Sequence, residues 1–228
     1  MRGSDSDLEM VQHAQRAHPS LTFSQESLPN LPYGDGEFGL VAANFVINHA
    51  PKPAQFVREL ARITEPEGLT IMTIWPSMPT AAINQLWARV VRESRAIPLA
   101  GARLPAEDDF ERTAPGFARL LQAGGLRAVT STDIHWTFRV DAEALWNGVE
   151  AGVGNVGATY LKKDQERRVA MRAAYEDLTG LGDLEFPAHA VLGTAAGAVE
   201  WSGWRWSGAG GAGVAVEWRW SGAGMELR

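Results

Sequence analysis

The 228-residue sequence contains no cysteine and is short of positive charge. Without cysteine there can be no disulfide framework, no thiolate metal ligand and no cysteine nucleophile. The chain has 21 Lys and Arg against 27 Asp and Glu, which gives a formal net charge of -6. A protein that binds by neutralising phosphates needs the opposite excess. The composition therefore argues against a general binder of nucleic acid or of anionic membranes.

Long apolar runs are also missing. No stretch approaches the roughly 18 apolar residues that a membrane-spanning helix requires, and the polar start MRGSDSD lacks the apolar core of a signal peptide. The five histidines show no metal-ligand spacing, so no metal site is predicted. Hydrophobic residues make up 45% of the chain, enough for a sizeable core. We expect a cytoplasmic globular protein without nucleic-acid or membrane partners.

Strand-like and helical segments alternate in the first third of the chain. The pattern predicts strands over 1–4, 21–23, 38–45 and 69–75, with helices over 7–17 and 53–63. The strands 38–45 and 69–75 are almost continuously apolar, which is typical of parallel strands buried on both faces. Pro66-Glu67-Gly68 is predicted to end the helix 53–63 and to separate it from the last of these strands. This alternation favours an α/β fold with a mostly parallel sheet.

The remainder gives a weaker pattern. It predicts helices over 81–96, 116–123, 141–149 and 162–178, and strands over 126–140 and 186–192. Gly124-Gly125 suits the end of the second of these helices. The segment WRWSGAG occurs at 204–210 and again at 218–224. Residues 195–228 are therefore interpreted as a disordered, low-complexity tail, with a Trp/Arg-rich contact surface as the alternative.

Three strand ends are candidate ligand sites, because ligands bind beyond the carboxyl ends of strands in open parallel sheets. They carry Asp5, the loop 25–28 and Asn44. Asp5 follows the first strand, and its two oxygens suit the vicinal hydroxyls of a ribose. The alternative is that Asp5 or Asp7 only caps the next helix. Asn44 ends the apolar strand 38–45 and is a candidate ligand contact or a cap for a neighbouring loop. His49 is a candidate general base or a histidine packed at a helix start.

Four segments, in this order, resemble class I S-adenosylmethionine-dependent methyltransferases. They are GSDSDLEM at 3–10, LPYGDGEFGLV at 31–41, NFVINH at 44–49 and ELARITEPEG at 59–68. The resemblance implies a doubly wound Rossmann-like α/β sheet in residues 1–194, with a helical, acceptor-side insertion at 141–180 before the last strand. It places the first strand and the glycine-rich loop of the family before Met1. The expected fold is thus an N-terminally truncated form.

The resemblance also implies a cofactor and the residues that hold it. S-adenosylmethionine is the implied cofactor. Asp5 is implied to bind its ribose hydroxyls, and Ser6 to lie beside the adenine. Ser27 and Leu28 match positions that meet the adenine edge, and Asn44 matches the position near the methionine moiety. No catalytic residue is implied, because methyl transfer relies mostly on alignment.

The sequence departs from the family pattern at several positions. Ser27 stands where the family often has Asp, Gly39 replaces the usual Asp, and Glu67 replaces a turn glycine, which would be awkward if that turn needs a positive φ. Trp87, Trp136 and Trp146 could line an aromatic acceptor pocket, and core packing explains them equally well.

The expected function is methyl transfer to a small-molecule acceptor, impaired by the missing glycine loop. The alternative is a catalytically silent fold that acts as a binding or oligomerisation module, with self-association through an exposed sheet edge. A nicotinamide-dependent oxidoreductase is a more distant third interpretation. Asp5 matches the acidic residue after the second strand of the methyltransferase family, and dinucleotide-binding folds have an acidic residue at the same place.

Overall fold

The structure is a computed structural model that describes residues 1–78, 80–100 and 104–196, and the backbone of 218–221 and 224–227. The helices are α1 (Leu8–Ala17), α2 (Pro53–Ile63), α3 (Ala82–Glu93), α4 (Ala114–Ala123), α5 (Ala142–Glu150), α6 (Gly154–Leu161) and α7 (Gln165–Thr179), with a 3-10 turn at Ile47–His49. The strands are β1 (Arg2–Asp5), β2 (Thr22–Gln25), β3 (Phe38–Asn44), β4 (Thr64–Ile74), β5 (Arg127–Asp141), β6 (Asp183–Ala196), β7 (Trp218–Ser221) and β8 (Gly224–Leu227).

The strands form separate sheets in the part of the chain that the structure describes. β1 and β2 make a parallel pair, and a four-stranded sheet has the order β3-β4-β6-β5. Within it, β3 runs parallel to β4, and β4 runs antiparallel to β6. The helices α5, α6 and α7 are inserted between β5 and β6. The predicted α/β class, with a helical insertion before the last strand of the sheet, is confirmed.

Most predicted helices form close to their expected bounds. α2 has the predicted bounds, and Pro53 stands in its first turn, where its missing N–H costs nothing. α4 ends at Gly124, and Gly125 has a φ of +95°, which favours glycine. The helix predicted over 162–178 corresponds to α7, which begins only at Gln165. The preceding helix, α6, was not predicted. Asp164 starts a new helix by accepting a hydrogen bond from the Arg167 N–H at 2.8 Å.

The expectation that Pro66-Glu67-Gly68 separate α2 from the next strand is wrong. These residues lie within β4, at an irregularity where Phe38 pairs with Thr64 but Leu40 pairs with Leu69. The extra β4 residues bulge out opposite Gly39, so turn-forming residues fit inside the strand. Gly68 is required there, because an added Cβ would lie 2.9 Å from Thr64 Cγ2. Glu67 does not have a positive φ, so its side chain is not strained.

The prediction that β3 is buried on both faces is also wrong. Val41 and Ala43 are buried, but Leu40, which directly precedes Val41, is 57% exposed. Its partner Leu69 on β4 is 43% exposed. The buried face packs on the core that α2 and α4 complete. Described residues therefore cover only one face of this pair of strands, and an apolar surface is left on the other.

The chain divides into two compact units. The first contains the described residues 1–78, 104–135 and 189–196, and its core includes the wholly buried Ile47, Val57, Ile74 and Phe117. Gly193 permits this packing, because a Cβ there would lie 2.6 Å from a methyl of Leu121.

The predicted boundary between a domain at 1–194 and a tail at 195–228 stays a prediction, since most of that tail lies outside the described residues. Within it, the backbone of β7 pairs antiparallel with that of β8.

The second unit contains the described residues 80–100 and 136–188. Its core is built around Trp146, Met171 and Tyr175, which are all wholly buried. The Tyr175 hydroxyl donates to the Ala142 carbonyl oxygen at 2.7 Å. Burial raises the pKa of Tyr175 to about 12. The neutral phenol is thus part of the folded core.

A charged network fastens the turn-rich segment before β3 to α2. Glu59 accepts the backbone N–H of Leu31 at 2.8 Å, and its two oxygens accept hydrogen bonds from Arg62. Arg62 also donates to the Tyr33 carbonyl and to Asp35, at 2.8 and 2.7 Å. The hydrogen bond from Arg62 holds the pKa of the Glu59 carboxyl below its ordinary value. The ionised carboxylate therefore stabilises the fold.

We predict that Glu59→Gln lowers the free energy of unfolding near neutral pH by about 1–2 kcal/mol, because it removes a charge-assisted pair from a mostly buried site. The pKa of Glu59 is lower when folded, so its stabilisation is present above the unfolded value and is lost as pH falls through the folded value. Urea unfolding from neutral to acidic pH measures both effects.

The matched control is Glu111→Gln, which breaks a pair with Arg119 whose side chains are both more than half exposed. That change should cost less than about 0.5 kcal/mol. Equal losses in the two variants would contradict the role given to Glu59.

For the second unit we predict that Tyr175→Phe costs about 1 kcal/mol, because the buried Ala142 carbonyl loses its donor. In the wild type, stability should also decline as pH rises from the unfolded value, about 10, towards the folded value of about 12. The variant should lack this part of the alkaline decline. Tyr160→Phe, which keeps the ring beside Trp146, is the control, and an equal loss there would refute the assignment.

Candidate functional site

The carboxyl ends of β1 and β2 bring together the first group of predicted site residues. The strands are parallel, with Asp5 opposite Gln25. The Glu26 N–H donates to the Asp5 carbonyl oxygen at 3.0 Å, and the Gln25 amide donates to the Ser6 carbonyl oxygen at 3.1 Å. Asp5 and Ser6 therefore lie beside the loop that carries Ser27 and Leu28.

The carboxylate of Asp5 is distinct in its bonding from that of Asp7. Asp7 is the N-cap of α1 and accepts the backbone N–H groups of Glu9 and Met10, at 2.8 and 3.4 Å. Asp5 is exposed, and its Oδ1 accepts the Asp7 N–H at 2.8 Å. Its Oδ2 has no hydrogen-bond donor among the described residues. The structure thus assigns the helix cap to Asp7, whereas Asp5 accepts only the Asp7 N–H.

The loop after β2 combines a polar and an apolar position. Ser27 is exposed, and its carbonyl accepts the Asn30 N–H at 3.2 Å in a turn. Leu28 is half-buried and packs against the core of the first unit. The packing fixes the loop while leaving part of Leu28 exposed.

Asn44 lies at the carboxyl end of β3, opposite Thr73 on β4. Its Oδ1 accepts the Thr73 hydroxyl at 2.5 Å. The next backbone N–H, of Phe45, donates to both the hydroxyl and the carbonyl oxygen of Thr73, at 3.0 and 3.1 Å. The exposed Asn44 amide therefore stands at a hydrogen-bonded strand end, at the carboxyl edge of a parallel pair.

Sequence reasoning missed an aromatic pair at the same edge. Phe45 has a φ of +56°, which is unusual for a bulky residue. Its ring stacks on Trp75 with the ring centroids 3.8 Å apart and the planes 5° from parallel. The sequence did contain a signal for this pair, because Phe45 directly follows β3 and Trp75 directly follows β4. The tryptophans considered instead belong to the second unit, where Trp146 is wholly buried and Trp87 packs on Tyr175.

The side chain of Asn48 fixes the position of Trp75. Its Oδ1 accepts the Trp75 N–H at 2.7 Å, and its Nδ2 donates to the Trp75 carbonyl oxygen at 3.0 Å. Both backbone groups of Trp75 are thus held by one amide. The neighbouring His49 ends the 3-10 turn and is exposed, and its role as a general base stays a prediction.

Part of the chain matches a known protein family, and the fold is similar to solved structures. Residues 1–72 match the family model described as a methyltransferase domain, and this range includes Asp5, Ser6, Ser27, Leu28 and Asn44. The fold is similar to that of the YcgJ protein from Bacillus subtilis, at 15% identity over 87% of this chain and 82% of that one, with a TM-score of 0.51. This chain has a class I methyltransferase fold. S-adenosylmethionine is the cofactor that this family implies, and the resemblance found in the sequence is confirmed.

A second structure with a similar fold comes from Bacillus halodurans and is assigned as a methyltransferase. The two chains are 14% identical, over 86% of this one and 81% of the other, with a TM-score of 0.49. A comparison with curated protein sequences gives no match. In the part of the chain that the structure describes, no helix is long and apolar enough to cross a lipid bilayer.

We predict that Asn48→Ala lowers the free energy of unfolding by about 1–2 kcal/mol, because both backbone groups of Trp75 lose their partner. The near-ultraviolet circular dichroism should weaken as the stacked rings lose their fixed geometry. Asn84→Ala, on the exposed side of α3, is the control and should be neutral or slightly stabilising. An unchanged stability and spectrum in Asn48→Ala would contradict the proposed clamp.

Proposed function

We propose that this methyltransferase domain binds S-adenosylmethionine and transfers its methyl group to a small-molecule acceptor. The observation that carries the proposal is the carboxylate of Asp5. It stands at the carboxyl end of a parallel strand and retains an oxygen while Asp7 caps the helix. A ribose presents two adjacent hydroxyls, and a carboxylate with spare lone pairs is suited to accept both. The match of residues 1–72 to the methyltransferase family supports this reading.

The other strand ends supply the remaining contacts in this proposal. Ser6 lies beside the adenine, and Ser27 and the exposed part of Leu28 meet the adenine edge. Asn44 lies near the methionine moiety, where its amide can exchange hydrogen bonds with polar ends of the cofactor. Its link to Thr73 supports the proposal, because a held amide loses little freedom on binding.

The bound cofactor supplies an electrophilic methyl group on a positively charged sulfur. An acceptor would form the new bond to that methyl carbon with a lone pair on oxygen or nitrogen, or with the π or carbanion electron pair of a carbon nucleophile. The electron pair of the broken carbon–sulfur bond would stay with sulfur, and His49 or water would take the acceptor's proton. The protein contributes mainly by alignment, which is the largest requirement of such a displacement.

A second candidate is a catalytically silent fold that acts as a binding or self-association module. The exposed Leu40 and Leu69, side by side on β3 and β4, support it. Apolar surface of this kind is typical of contact sites. The two candidates differ in whether the chain holds the cofactor.

We predict that the full chain binds S-adenosylhomocysteine with micromolar affinity in calorimetric titration. Asp5→Asn should weaken binding about tenfold or more, because the neutral amide is a poorer acceptor for two hydroxyls. Asp7→Asn is the matched control and should change affinity by less than about twofold, because Asn is as good a helix N-cap as Asp.

Tight binding by Asp5→Asn would contradict the ribose role. Absence of binding by the folded wild type would remove the enzyme proposal and favour the silent module.

A further inference from the structure

We propose that Phe45 and Trp75 form an aromatic wall that recognises the methyl acceptor through a planar, uncharged aromatic ring, such as a phenol or a nitrogen heterocycle. The methyl transfer itself rests on the function proposed above, but binding of the ring to the wall does not. In the reaction, the phenol oxygen or ring nitrogen forms the bond to the methyl carbon. The carbon–sulfur electron pair stays with sulfur, and the proton on the acceptor, where there is one, leaves to water.

The position of the aromatic wall supports a ligand role. Phe45 and Trp75 directly follow neighbouring parallel strands, so both stand at the edge of the sheet where ligands bind in open α/β folds. Asn44, the residue assigned to the methionine side of the cofactor, directly precedes Phe45.

Exposure distinguishes this pair from the buried aromatic cluster of the second unit. Trp75 is 42% exposed and Phe45 is partly exposed, although large aromatic side chains gain most from burial. In the second unit, by contrast, the Trp146 side chain is wholly buried against Tyr175, and its Nε1–H is satisfied by Glu150. The aromatic wall therefore presents π surface that a ligand can reach, whereas the inner cluster serves only the core.

The geometry of the wall is held in place before any ligand arrives. The two rings are nearly cofacial, an arrangement that isolated aromatic pairs favour less than offset or edge-on contacts. It is held by the Asn48 amide on one side and by the two Thr73 bonds to the Phe45 N–H on the other. The positive φ of Phe45 turns its ring onto Trp75. A strained residue within a fixed wall is typical of a binding site.

The groups around the aromatic wall indicate an uncharged ligand. The hydrogen-bonding side chains that hold it are Asn44, Asn48 and Thr73, which are neutral amides and a hydroxyl. These groups carry no charge, so they offer no counter-ion to a cationic amine. Stacking on a large π surface suits a neutral planar ring.

The test uses two probes of equal carbon skeleton, 2-naphthol and decahydro-2-naphthol, of which only the first has an aromatic face. Binding to the full chain is measured by ligand-observed saturation-transfer NMR and by calorimetry. The variants are Trp75→Leu, Trp75→Phe and, as a control of similar exposure in the second unit, Trp136→Leu. Thermal unfolding of each variant shows that it is folded, and titration with S-adenosylhomocysteine is run in parallel.

We expect 2-naphthol to bind the wild type at least about tenfold more tightly than its saturated counterpart. Trp75→Leu should abolish that preference, Trp75→Phe should keep part of it, and Trp136→Leu should leave it unchanged. Equal binding of both probes, no binding of 2-naphthol, or an unchanged preference in folded Trp75→Leu would each overturn the inference. Failure of S-adenosylhomocysteine to bind, with the ring preference intact, would refute the proposed methyl transfer and leave the aromatic wall standing.

Discussion

The parallel pairing of β3 with β4 is the constraint on which the candidate site depends. Buried Val41 and Ala43 on one strand and Met72 and Ile74 on the other hold the register. A slip of one residue would turn these side chains out of the core, so the register is strongly fixed. That register sets Asn44 opposite Thr73 and brings the two rings of the aromatic wall together. The packing of the core therefore also determines the geometry of the candidate site.

Local signals in the sequence were sufficient for several elements. The amphipathic spacing of Phe56, Val57 and Leu60 defined α2. The apolar run before Asn44 defined β3, although only one of its faces is covered. Whether a strand face is buried depends on which other segments of the chain pack against it, and an apolar run does not contain that information. The bulge in β4 likewise depends on its pairing with β3, so turn chemistry at Pro66 gave the wrong answer.

The candidate site was predictable in part. The predicted strand ends pointed to Asp5, to the loop after β2 and to Asn44, and the family resemblance added the part of the cofactor that each would contact. Sequence could not tell whether Asp5 or Asp7 caps α1, because the two differ only in which backbone N–H groups they accept. It also could not pair Phe45 with Trp75, because that contact requires the strand register. The tryptophans it weighed instead include Trp146, whose burial follows from the packing of α5 against α7.

The central claim is that the end of β1 and the end of β3 serve one cofactor. Hydrogen–deuterium exchange of the full chain, with and without S-adenosylhomocysteine, tests it most directly, because local protection reports where a ligand orders the backbone. The account predicts slower exchange on binding in residues 5–8, 26–31 and 44–49, with α7 unchanged. Protection at only one of the two strand ends, or at neither, would contradict it.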